Sequence, residues 1–271
     1  MNRILCSTGA IITKTNGRDY DLLREIVPRT QCDGLEFMMY QRWHDRTEGL
    51  KRALSAFEVP VFHMTKGIGQ FVSEDNLPDA AAMFHQDCDL AAASGAKLLV
   101  LHLWSGMASD RHIERNIAAY PVLREIAEKH GLLLTVENVL CNTRDPMTHM
   151  KALAEAYPDI TFTFDTKMAA FHTQLEALYQ MENAWLIPHI AHIHVNDYAG
   201  GHMDWGNMSA RPLGAGHIDF DRFFAFVRGM GYRGDFTYEA TALNPDATVR
   251  YDELNASLAR IRAGLAGEGN A

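Results

Sequence analysis

Residues 190–197 read Ile-Ala-His-Ile-His-Val-Asn-Asp, a short apolar run that sets His192 and His194 two residues apart and ends in two polar side chains. In a strand, residues two apart face the same side, so both imidazoles point one way. His194, nearer the C-terminal end, is placed to meet a ligand, whereas His192, lower down, reads as a packed and hydrogen-bonded core group. Taken alone, either histidine serves as readily in a core as at a site, so the assignment depends on what the other strands carry.

Outward from this stretch, apolar strand-like runs alternate with helix-like segments, the signature of repeated βα units around a parallel sheet. About eight units can be counted, as a (β/α)8 TIM barrel requires. The strand candidates are Arg3 to Thr8, GLEFM (34–38), PVFHM (60–64), KLLVLHL (97–103), LLLTVEN (132–138), ITFTFD (160–165), the opening stretch, and DFTYEA (235–240). Helices are expected from about Arg18 to Pro28, from Asn76 to Ser94 with Asn76 as N-cap, from Asp110 to His130, and from roughly Lys167 to Asn183. Two more are expected, one after Asp219 as cap and one near Asp246 to Ala266. The 271 residues suit one α/β domain over 1–271, with the longest loop, 198–219, too long for a simple connection.

Bulk properties narrow the function. A net charge of −9, from 25 basic against 34 acidic residues, gives no general attraction for a phosphate backbone, so no nucleic-acid partner is expected. Ser7, Thr8, Gly9 and Thr13 interrupt the N-terminal stretch before a signal-like apolar core forms, and no run is long enough to span a membrane. The four cysteines, Cys6, Cys32, Cys88 and Cys141, show no C-x-x-C spacing, which points to core filling in a reducing, cytoplasmic compartment. Neither GAGHID (214–219), which lacks the third glycine and a preceding strand, nor Ser105-Gly106, which lacks the nucleophile-elbow pattern, marks a site.

The later strand candidates carry metal-capable side chains at their C-terminal ends: Glu137, Asp165, His194 and Glu239. That end is where barrel enzymes keep their chemistry, and consecutive strands bring such side chains together. Burying a carboxylate costs several kcal/mol unless it is paired or metal-bound, so three beside one imidazole point to a cation. An oxygen-rich set of this kind suits one Mn²⁺, Mg²⁺ or Co²⁺ ion, with Zn²⁺ also compatible.

The order and setting of TVEN, TFDT, HIHVND, LGAGHIDF and GYRGDFTYEA resemble the xylose-isomerase-like superfamily of TIM barrels, which includes sugar isomerases, ketose 3-epimerases, inosose dehydratases and endonuclease IV. The resemblance covers nearly the whole chain and is most specific in its second half. It implies one divalent ion held by Glu137, Asp165, His194 and Glu239, and it matches the glycine turn at Gly214, Gly216 and 218–220. It further implies isomerase or epimerase chemistry on a sugar or polyol, with Glu137 and Glu239 as base and acid about an enediolate. An inosose-dehydratase-like lyase on the same site, or an endonuclease IV-like zinc phosphodiesterase, are the alternatives. Two departures stand out: Met168 occupies a position where relatives often have histidine, and Glu137 is followed by Asn-Val-Leu-Cys where ketose epimerases continue Pro-Leu-Asn-Arg. His63 and His102, at the ends of strands three and four, resemble extra zinc ligands of endonuclease IV and substrate contacts of single-metal relatives. They are read here as substrate contacts, with Trp104 and Trp205 walling the pocket from loops and Arg211, Lys66 and His202 on the same face. A small-molecule substrate is therefore the expected partner, with a homo-oligomer compatible and no membrane.

Overall fold

Every apolar run named above forms a strand in the structure, a computed structural model that describes residues 2–104 and 109–267. Ser105-Gly106 and the tail after Gly267 lie outside the described residues. The strands are β1 (Ile4–Ser7), β2 (Gly34–Met38), β3 (Val61–His63), β4 (Leu98–Leu101), β5 (Leu133–Glu137), β6 (Thr161–Asp165), β7 (Ile190–Val195) and β8 (Asp235–Tyr238). They follow one another in sequence order around a closed barrel. Among the described residues no helix is long and apolar enough to cross a membrane.

The chain groups into two compact units. In the first, Glu36–Phe164 with His189–Ala191, parallel registers set Met38 beside His63, His63 beside Val100, Leu101 beside Val136, and Glu137 beside Thr163. Because side chains alternate, Thr135 and Glu137 share one face of β5 while Thr163 and Asp165 share one face of β6. Thr135 and Thr163 are fully buried and meet through their hydroxyls at 2.6 Å, and the Thr135 hydroxyl also lies 2.8 Å from the Leu99 carbonyl. The polar face of these strands is thus internally satisfied below the level of Glu137 and Asp165. In the second unit, formed by the chain ends with Asp165–Pro188, Cys6 pairs with Tyr238 and His194 with Thr237.

The long helices match their sequence signals. Leu77–Ala93 starts at Asn76, whose side chain accepts from the Asp79 N–H, and the chain leaves it through Gly95 at φ +87°. Ile113–Lys129 starts three residues later than expected, after a 3₁₀ turn at Ser109–His112. The helix expected over Lys167 to Asn183 is instead three pieces: Thr166–Phe171, Leu175–Leu178 and a 3₁₀ stretch at Met181–His189. The break falls at Thr173, where φ of +55° turns the chain into the left-handed region no α-helix can continue through. The segment expected as a helix from Arg18 is also broken, with one α-helical turn at Leu23–Ile26 between 3₁₀ turns and Pro28 in the last. The C-terminal helix, Tyr251–Ala266, begins five residues later than expected because Asp246 instead closes a turn, accepting from the Thr248 N–H at 3.0 Å.

The long loop after β7 is organised by Asp197, which is fully buried. Its Oδ1 accepts from the N–H groups of Tyr198 (2.8 Å) and Ile218 (3.1 Å), and its Oδ2 from those of Gly214 (2.8 Å) and Gly216 (2.9 Å). A paired antiparallel bridge between Asp197 and Arg211 closes the middle of the loop. Gly216 is obligatory, since a Cβ there would collide with Asp197 Oδ1 and the Tyr198 carbonyl, and Gly214 adopts φ +90°. Asp197→Ala leaves four backbone donors without their shared acceptor and is expected to lower the unfolding free energy by about 2–4 kcal/mol. Urea denaturation measures it, and a shift of a few tenths of a kcal/mol would show that the loop does not depend on this carboxylate.

Candidate functional site

β3, β4 and β5 bring three polar side chains together at their C-terminal ends. His63 and Glu137 are each 1% exposed and His102 is 8% exposed. His102 Nε2 approaches Glu137 Oε2 at 2.5 Å and His63 Nε2 lies 3.5 Å from the same oxygen, with the two rings edge to face at 4.8 Å. His63 Nδ1 is 3.0 Å from the Met64 carbonyl, an acceptor only, so Nδ1 carries the hydrogen and Nε2 is the bare nitrogen in the neutral ring. Burial pushes His102 down to about 4, against the opposing pull of Glu137, so the ring is neutral near pH 7.

A second group forms at the ends of β6, β7 and β8. Asp165 stands at the junction of strand and helix: Oδ1 caps Thr166–Phe171 by accepting from the Met168 N–H at 2.8 Å. Its Oδ2 accepts from Asn196 Nδ2 at 3.0 Å, and the same amide nitrogen donates to Glu239 Oε2, also at 3.0 Å. The Asn196 Oδ1 in turn accepts from the Glu239 N–H at 3.1 Å. His194 Nδ1 sits 3.3 Å from Glu239 Oε2 and 3.9 Å from Asp165 Oδ2. His192, on the same face of β7, places Nε2 2.9 Å from the Thr237 hydroxyl, the core role expected from its lower position.

Asn196 is the residue that sequence reasoning missed as a functional group. Its backbone is locked as well, with its N–H donating to the Thr166 hydroxyl at 2.9 Å and its carbonyl accepting from it at 2.7 Å. The available signal was the polar pair closing the β7 stretch. Nothing in the spacing alone says that this amide spans two carboxylates.

The remaining residues expected at the site have different settings. Trp104 is fully buried, its indole N–H donates to the Val139 carbonyl at 3.0 Å, and its ring lies edge to face against His149. With its only polar hydrogen committed, Trp104 supports the wall behind the β4 and β5 ends. Trp205, in a 3₁₀ turn, packs on Phe171 at 5.0 Å. Arg211 is exposed and fixed through its backbone, while Lys66 is exposed beyond β3 and His202 Nδ1 lies 3.4 Å from the Thr173 hydroxyl.

A closed parallel barrel whose strand ends carry buried carboxylates and imidazoles defines a class of protein with its chemistry at the C-terminal rim. The family model described as xylose isomerase-like TIM barrel matches residues 26–261, and the chain belongs to that family. No curated protein matches the chain by sequence. Among solved structures it is similar to 3-keto-D-glucoside 4-epimerase from E. coli (18% identity, 97% of this chain and 100% of that one, TM-score 0.67). It is also similar to D-allulose 3-epimerase from Methylomonas sp. (16%, 97% and 98%, TM-score 0.71). A third similar structure is the IolI protein with a bound zinc atom (12%, 99% and 100%, TM-score 0.70).

Removing the shared amide tests the geometry directly. Asn196→Ala leaves Asp165 and Glu239 without their common donor, and is expected to destabilise the protein by about 2–3 kcal/mol in the presence of a chelator. An unchanged urea midpoint under those conditions would mean that the amide does not hold these carboxylates.

Proposed function

We propose that the chain is a divalent-metal-dependent isomerase or epimerase that moves a proton next to the carbonyl of a sugar or polyol. The observation that carries this reading is that one ligand-capable atom from each of Asp165, His194 and Glu239 lies within 4.8 Å of the other two. The donor set fits a hard cation: carboxylates and one imidazole, with Asp165 and Glu239 oriented by the N–H bonds they accept. Hydrogen bonds that orient ligands from behind, as Asn196 does here, are the usual company of a metal site. Mn²⁺, Mg²⁺ and Co²⁺ suit the set, with Zn²⁺ compatible. Family membership and the sugar epimerases among similar structures, one of them in complex with D-allulose, support the substrate class.

When bound, the ion would supply Lewis-acid stabilisation of the negative charge that develops on the substrate oxygens. Glu137 and Glu239 are the proton carriers, one removing the proton from the hydroxyl-bearing carbon and the other returning it. His102 lies against Glu137 and limits the orientation of its carboxylate, and His63 stands beside the same oxygen. A dehydratase shares the first proton abstraction and differs in the fate of the enediolate, so product analysis separates it. The net charge of −9 and methionine at position 168 favour a sugar enzyme over a nucleic-acid phosphodiesterase.

Two outcomes are expected. Asp165→Asn combined with His194→Ala removes most central metal by elemental analysis while circular dichroism stays native, and full occupancy in that variant would take these residues out of the site. Glu137→Gln or Glu239→Gln lowers turnover by roughly two to four orders of magnitude, far more than metal affinity. The substrate panel is a set of ketoses and cyclic polyols incubated in heavy water. Product without deuterium at the reacting carbon rejects the glutamates as proton carriers.

A further inference from the structure

Behind the rim, the β4 and β5 loops bring together three side chains that the proposed reaction does not use. Asp110 lies in the 3₁₀ turn Ser109–His112, Cys141 lies four residues beyond Glu137, and His149 is in the first turn of the helix Pro146–Ala156. All three are buried, with Asp110 1%, Cys141 0% and His149 2% exposed. One ligand-capable atom from each falls within 4.8 Å of the others.

The hydrogen bonding of this trio is incomplete in a particular direction. Asp110 Oδ2 accepts from the backbone N–H groups of Asn142 (2.9 Å), Thr143 (2.6 Å) and Arg144 (3.3 Å), which fixes the plane of the carboxylate. Its Oδ1 and the Nε2 of His149 are both buried without a hydrogen-bond partner among the described residues. His149 Nε2 lies 3.8 Å from Asp110 Oδ2, beyond hydrogen-bonding reach. Bond lengths of about 2.0–2.3 Å around a tetrahedral ion put its ligands roughly 3.3–3.8 Å apart, and the 3.8 Å between His149 Nε2 and Asp110 Oδ2 falls at the upper end of that range. Two orphaned polar atoms in one buried spot cost about 1–3 kcal/mol each unless something occupies the space between them.

We propose that Asp110, Cys141 and His149 form a second cation site, for a borderline-soft divalent ion such as Zn²⁺, distinct from the oxygen-rich centre at the barrel rim. A thiolate, an imidazole and a carboxylate form a donor set that zinc favours over magnesium or manganese. Coordination takes the Cys141 thiolate, so the thiol proton leaves to solvent, and His149 binds as the neutral imidazole. The carboxylate and thiolate together balance the ion's two positive charges. The site ties the β4 loop to the β5 loop and its helix. It braces Trp104, which lies against His149 at 5.3 Å and donates to Val139 between Glu137 and Cys141.

Cobalt reports the difference between the two sites. Metal-free full-length protein titrated with Co²⁺ should develop a thiolate-to-cobalt charge-transfer band in the near ultraviolet, because only one of the two sites contains sulfur. The band should persist in the Asp165→Asn/His194→Ala variant, which lacks the central ligands, and vanish in Cys141→Ser, with His149→Gln weakening cobalt affinity at least tenfold. Zinc content should fall by one equivalent in Cys141→Ser while the central equivalent remains, with native circular dichroism as the folding control. Failure of the central site alone leaves the sulfur band in place, so the two readings are tested separately. Absence of the band in folded wild-type protein, or its survival in Cys141→Ser, overturns the second site and leaves the trio as a packed core cluster.

Discussion

One amide group makes the end of this barrel possible. Asn196 offers its Nδ2 hydrogens to Asp165 and Glu239 and receives the Glu239 N–H on its own oxygen, so two carboxylates are held close to His194 at the buried end of β7 and β8. In a poorly solvated interior such charges repel each other and lose their hydration unless donors replace the missing water. Asn196 and His194 lie two residues apart and therefore face the same way, which is why a single strand can supply both the imidazole and the group that orients its neighbours. The backbone of Asn196 is clamped to Thr166, in the turn that Asp165 itself caps. Orientation is built into the fold before any ligand arrives.

Chemistry and support are divided between donors of different character. The ends of β6, β7 and β8 collect Asp165, His194 and Glu239, an oxygen-rich set of the kind that suits a hard cation. The Asp110, Cys141 and His149 cluster collects a softer set beneath the loops that follow β4 and β5. Trp104 joins the two levels, since it is buried against His149 and hydrogen-bonded to the loop that leaves Glu137. A change at the lower level therefore reaches the rim through packing, with no ligand in common.

Strands and their polar ends were legible in the sequence because a buried parallel strand is a nearly continuous apolar run, and a charged residue closing such a run is conspicuous. GLEFM forms a strand over its full length, and ITFTFD does so apart from Ile160. The region from Thr166 to His189 was not legible, because its apolar and polar residues fit a helical period and the break depends on the backbone at Thr173. Trp104 was expected at the rim from its place after a strand, but burial there is decided by His149 and Val139, far along the chain. The role of Asn196 is invisible for the same reason: its partners, Asp165 and Glu239, lie 31 and 43 residues away along the chain and meet it only through tertiary contacts.

The arrangement around Asp197 has a consequence for how this protein can change. Four amides converge on that carboxylate from both ends of the excursion, at Tyr198 on one side and at Gly214, Gly216 and Ile218 on the other. The intervening stretch is thereby a cassette, whose entry and exit are set by a side chain at its base. Substitutions in the 3₁₀ turn capped by Asp204 leave the four amides on Asp197, and the strand that carries His194, in place. Change within the excursion is in this way insulated from the strand at its base.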